Sequence, residues 1–106
     1  LGSLENEAFL PSNLSLFSLV EEMARNSDIA LESITPLSTE EKGSVRNISV
    51  SISAKEITID SLVRFLYAVE YDSPYFLRID RLHIKQSFKD RTKADFKMDL
   101  TAVQKR

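Results

Sequence analysis

Few side chains in this sequence are of a type that does chemistry, and their spacing keeps them apart. The single histidine, His83, stands between Arg81 and Lys85. A general base or a metal site needs a second titratable or ligating partner close by, and the chain has neither another histidine nor any cysteine. His83 therefore reads as a solvated histidine at a sheet edge. Glu21-Glu22 and Glu40-Glu41 are consecutive pairs whose members point in different directions, so neither forms an acid–base couple. Asp95 and Asp99 share one face of a strand, but Lys93 and Lys97 alternate with them, which is the pattern of a charge-laced outer strand. Without cysteine there is no disulfide, thiol catalysis or thiolate metal site. Gly2 and Gly43 are the only glycines, so no glycine-rich phosphate loop exists. No catalytic, metal or cofactor-binding residue is assigned, and the chain reads as a protein that is not an enzyme.

Charge and length narrow the remaining classes. Fourteen Lys plus Arg stand against 16 Asp plus Glu, a net charge of −2 that exerts no general pull on nucleic acid or anionic lipid. Lys85, Lys89, Arg91, Lys93 and Lys97 make one region basic, yet Asp90 and Asp95 interrupt it and no exposed aromatic run accompanies it. Nucleic acid is not expected as a partner. The 106 residues suffice for one domain with one modest core, and 42% hydrophobic content suits a folded chain. No apolar run reaches the length of about 18 residues needed to span a membrane, and no signal peptide is visible. Leu1-Gly2-Ser3 reads as a cloning remnant, residues 1–12 as a lead-in, and residues 13–106 as the domain.

Periodicity supplies the elements that must position these groups. Leu16, Leu19, Val20 and Met23 fall on one face of a helix over Leu14–Asn26, capped by Ser12 or Asn13. Ile29–Leu37 reads as a strand whose phase slips before Ile34, the mark of a bulge. Pro36 cannot donate a ladder hydrogen bond and places that strand at an edge. Ser38–Ser44 reads as a polar loop with Gly43 at positive φ. In the second strand Ile48, Val50, Ile52 and Ala54 alternate with Asn47, Ser49, Ser51 and Ser53. A second helix, capped by Thr58, spans Ile59–Tyr71 with Ile59, Leu62, Val63, Leu66 and Val69 as its core positions. Ser73-Pro74 turns the chain into a third strand, Tyr75–Lys85, with a bulge near Asp80-Arg81. After a loop at Gln86–Thr92, the last strand turns Ala94, Phe96, Met98, Leu100 and Ala102 inward.

The order αββαββ contains two similar halves, with Ser18-Leu19-Val20 matching Ser61-Leu62-Val63. Two one-faced helices and four one-faced strands pack most simply as a four-stranded antiparallel sheet with both helices on one side. This is an α+β, ferredoxin-like arrangement, circularly permuted, with strands two and four central. What is left for function is apolar surface. Tyr67, Tyr71, Phe65 and Tyr75 on and after the second helix, and Ile34 and Leu37 on edge strand one, are the candidate protein interface.

Several stretches carry a family resemblance: Phe9-Leu10-Pro11, Leu19 to Met23, Ile29-Ala30-Leu31-Glu32-Ser33-Ile34, Val45 to Ser53, Leu62 to Glu70 and Leu77 to Leu82. Together they resemble type II secretion protein M and the closely similar pilus-assembly protein PilO. The resemblance implies a periplasmic domain of a single-pass inner-membrane protein. It also implies homodimerisation, pairing with secretion protein L or a PilN-like partner, and no cofactor or catalytic residue. A small-molecule regulatory domain of the ACT type is the alternative from another class. Those domains bind ligands at glycine-containing loops, which this chain lacks.

Overall fold

The computed structural model describes residues 9–73 and 75–105. Pro74 and the Leu1-Gly2-Ser3 stretch read as a cloning remnant lie outside them. Helix α1 is Leu16–Asn26, followed by strands β1 (Ser33–Lys42) and β2 (Val45–Thr58). Helix α2 (Ile59–Tyr67) runs on into a π-helical turn at Ala68–Asp72, and strands β3 (Leu77–Gln86) and β4 (Lys93–Lys105) complete the chain. The four strands form one antiparallel sheet in the order β1-β2-β4-β3, so the two cleanly alternating strands are central. Val50, Ile52, Phe96, Met98 and Leu100 on one face join Leu16, Val20, Leu62, Phe65 and Val69 of the helices in a single core. Both helices therefore cover the same side of a ferredoxin-like sheet.

Local chemistry moves several boundaries. The first helix starts later than its pattern predicts. Pro11 and Leu14 close a turn over Ser12 and Asn13, and Ser15 becomes the cap, accepting from the Ser18 amide at 3.5 Å. Gln104 of β4 holds that turn, donating to the carbonyls of Pro11 (2.9 Å) and Leu14 (2.5 Å). The lead-in also packs: Leu10 is fully buried and bridges to β4 in parallel, so the core begins before residue 13. Ile29 and Leu31 precede β1 rather than belonging to it. Ile29 donates to the carbonyl of Ala24 and Asp28 to that of Arg25, a Schellman closure with Asp28 at φ 61.

The β1 break falls between Pro36 and Ser38, after the expected place, and the β3 break falls between Ile79 and Arg81, where expected. The loop expected at Ser38–Ser44 is mostly strand. Lys42 pairs with Val45 across a two-residue turn, and Gly43 at φ 60 supplies the positive dihedral it needs. A third break, between Ala54 and Ile57, was not legible. There Glu56 sits at φ 56, its amide donating to Asp95 Oδ1 (2.9 Å) and its carboxylate accepting from Ser87 (3.1 Å). Beyond it β2 runs straight into α2, and the Thr58 hydroxyl caps the helix at the Ser61 amide as expected.

The second helix is rotated from its predicted orientation. Leu62, Phe65 and Val69 are buried, whereas Ile59 and Val63, expected in the core, are exposed. The cause is size. A phenyl ring buries more apolar area than an aliphatic side chain, and Phe65 meets Phe96 of β4 with ring centroids 5.8 Å apart.

Candidate interaction surfaces

Among the described residues the titratable groups do not converge. His83 is exposed on the outer face of β3, opposite Lys97. Glu21 and Glu22 are exposed on α1, and Glu40 and Glu41 lie on β1 rather than in a loop. Among the described residues no group of three His, Asp or Glu side chains is placed to hold a metal ion. One polar chain does cross three strands on the outer face. Arg78 Nε donates to Asp80 Oδ1 at 2.6 Å, and the Thr101 hydroxyl donates to the other Asp80 oxygen. Ser49 and Thr101 lie 2.8 Å apart; since the Thr101 proton is committed to Asp80, Ser49 is the donor. The Thr101 hydrogen bond, with help from Arg78, holds the Asp80 carboxyl below its ordinary value. This chain ties the β3 bulge to the sheet centre; it aims no group at a cavity.

The six residues singled out from the sequence scatter. Ile34 is half-buried on β1 opposite Ile52 and packs against the core. Leu37 is the exposed bulge residue. Phe65 is 0% exposed, so it is a core residue and presents no surface. Tyr75 is half-buried against the core. Only Tyr67 and Tyr71 come together as expected surface, with ring centroids 5.1 Å apart.

They extend a feature that apolar spacing alone assigns to the core. Ile59, Val63 (57% exposed), Tyr67 and Tyr71 (72%) recur every fourth residue and form an exposed apolar ridge along α2 and its π-helical turn. The signal was available in that spacing, but Leu62, Phe65 and Val69 compete for the same helix and win the core. Beside the ridge lies an open cleft of about 750 Å³ between the helices, with Leu19 and Met23 on one wall and Val63 and Tyr67 on the other. Phe76 and Phe88 are further exposed aromatics, at the two ends of β3.

The fold and these surfaces define the class: a ferredoxin-like α+β domain that offers sheet edges and an apolar helix ridge. The model for type II secretion system protein M, subtype b, matches residues 13–103, and the chain belongs to that family. Among solved structures, it is similar to the type 4 fimbrial biogenesis protein PilO from Pseudomonas aeruginosa. That match has a TM-score of 0.74 at 17% identity and covers 99% of this chain and 78% of the other. A protein from Akkermansia muciniphila, solved without its transmembrane region, gives a TM-score of 0.66 at 8% identity, covering 99% and 80%. Another structure from that organism gives 0.65 at 8% identity, covering 99% and 70%. At these identities the likeness is one of fold. No curated protein shows significant similarity to this sequence. Among the described residues no helix is long and apolar enough to cross a membrane.

Proposed function

We propose that this chain is the non-enzymatic, periplasmic domain of a single-pass inner-membrane component of a type II secretion system. In this reading it works by pairing with a second copy and with secretion protein L in the assembly platform. Membership of the protein M family over residues 13–103 carries the reading. The exposed ridge from Ile59 to Tyr71 supports it, because contiguous apolar surface of this kind marks protein–protein contact. A stable interface would bury about 800 Å² on each partner, and a platform whose partners exchange needs less. The structural likeness to PilO favours one second reading, a subunit of a type IV pilus alignment complex paired with a PilN-like partner.

Sedimentation of the chain alone and mixed with the periplasmic domain of protein L tests the proposal. The expected result is a mass above the 12.1 kDa of one chain, with dissociation in the micromolar range. Monomer throughout, in both samples at high micromolar concentration, overturns it.

A further inference from the structure

Among the described residues the sheet has two unpaired edges, β1 and β3, and they are built differently. On β1, Pro36 lacks an N–H and the register breaks immediately after it, so an incoming strand meets a missing donor and a bulge. On β3 the break lies early, between Ile79 and Arg81. From Arg81 to Gln86 the strand pairs with β4 without interruption, leaving a regular edge on its other side.

That regular stretch has two unlike faces. On the helix side Leu82 and Ile84 stand opposite Met98 and Phe96, which are buried, yet Leu82 is 38% and Ile84 50% exposed. The apolar layer simply stops at the edge. Phe88, 92% exposed just beyond it, lies under Lys85 Nζ at 5.2 Å from the ring centroid. On the outer face the same stretch presents Arg81, His83 and Lys85, and neither Arg81 nor Lys85 is in an ion pair among the described residues.

We infer that the β3 edge accepts an added strand from a different protein. That strand alternates apolar residues, placed against Leu82 and Ile84, with acidic residues, placed against Arg81 and Lys85. A second copy of this chain is the wrong occupant. Antiparallel pairing of two β3 edges about His83 would set Arg81 against Lys85 twice, and like charges directly opposite are destabilising. Asp99 and Asp95 of β4 stand opposite Arg81 and Lys85 and weaken the attraction without cancelling it. They sit one strand further in, about 10 Å from an added strand, which is beyond the screening length of about 8 Å at physiological salt. Arg81 and Lys85 would be direct neighbours at about 5 Å. This deepens the assembly reading and rests on it, since it gives the heteromeric partner a chemistry and an edge.

The test uses fluorescent peptides as long as the Arg81–Gln86 stretch, one alternating Glu with Val and one alternating Lys with Val. The Glu peptide is expected to bind about tenfold more tightly, the combined worth of two favourable cross-strand charge pairs. N-methylation of one alternate set of its amides should abolish binding, and of the other set should not, because only one set faces the edge. The double variant R81E/K85E should reverse the preference. Equal binding of both peptides, or indifference to N-methylation at either set, overturns the inference. Pairing with the protein L domain that survives R81E/K85E removes this edge but leaves the assembly reading standing. Failure of the unmodified chain to pair at all removes that reading instead.

Discussion

The rings of Phe65 and Phe96 lie 5.8 Å apart with their planes tilted by 34°, joining the last turn of α2 to the first part of β4. Both are buried, and this contact sets which side of α2 faces the sheet. Truncating Phe65 leaves a cavity where the helix is anchored, so Phe65→Ala should lower unfolding free energy by about 3–5 kcal/mol. Tyr71→Ala, on the exposed ridge, should change it by no more than about 0.5 kcal/mol. Urea titration of the two variants checks this; similar losses for both would mean the ridge is part of the core.

The hydrogen bonds from Thr101 and Arg78 stabilise the ionised form of Asp80. Its folded-state pKa is therefore below the ordinary 3.8, so the bond's contribution is complete above that value and is lost as pH falls through the lower, folded-state one. Thr101→Val keeps the shape and removes the hydroxyl. It should cost about 1 kcal/mol near neutral pH and less at pH below the Asp80 titration, with the Asp80 carboxyl titrating higher. NMR titration of that carboxyl alongside denaturation at several pH values reads both effects. An unchanged titration would show that Thr101 does not hold it.

Much of this architecture was legible because the sheet buries one face. Val50, Ile52, Phe96 and Met98 alternate with polar residues, and a period of two has one interpretation there. Pro36 placed β1 at an edge, and the phase change across Asp80-Arg81 located its bulge. The second helix misled because Ile59, Val63 and Tyr67 form as good an apolar stripe as Leu62, Phe65 and Val69. Which stripe wins depends on Phe96, a partner far away in sequence. The Ala54–Ile57 break was invisible for a similar reason, since Lys55 and Glu56 look like ordinary strand residues and Asp95 holds the Glu56 amide from another strand. The interaction surface suffered most. Phe65 looked available and is core, while the regular edge of β3 appears only once the register is known.

Two turns depend on left-handed backbone and should respond in opposite directions. Gly43 has φ 60 and open space where a Cβ would go, so Gly43→Ala costs only the conformational penalty, about 1 kcal/mol. Asp28 carries that penalty already at φ 61, and its contact with Arg64, 3.5 Å between exposed side chains, offsets little of it. Asp28→Gly should raise stability by up to about 1 kcal/mol. Thermal unfolding of both variants decides it; a loss on Asp28→Gly would show that the ion pair or the Asp side chain matters more than the backbone.

Gln104 fastens the start of the chain to its end. Its amide nitrogen serves the carbonyls of Pro11 and Leu14, while Leu10 exchanges backbone hydrogen bonds with the same strand, its N–H donating to Val103 at 2.9 Å and its carbonyl accepting from Lys105 at 2.8 Å. Gln104→Leu preserves bulk and removes the side-chain donor from both carbonyls, leaving that of Pro11 only the Leu14 N–H of its turn, which should cost about 1–3 kcal/mol. Gln104→Glu should be worse, because an ionised carboxylate would face two acceptors. The loss should be local first: the Leu10 amide should exchange hydrogen faster in Gln104→Leu while the amides of Val50 and Leu100 keep their protection. If all three amides lose protection equally, the segment around Leu10 unfolds only with the whole domain and Gln104 is not a separate clasp.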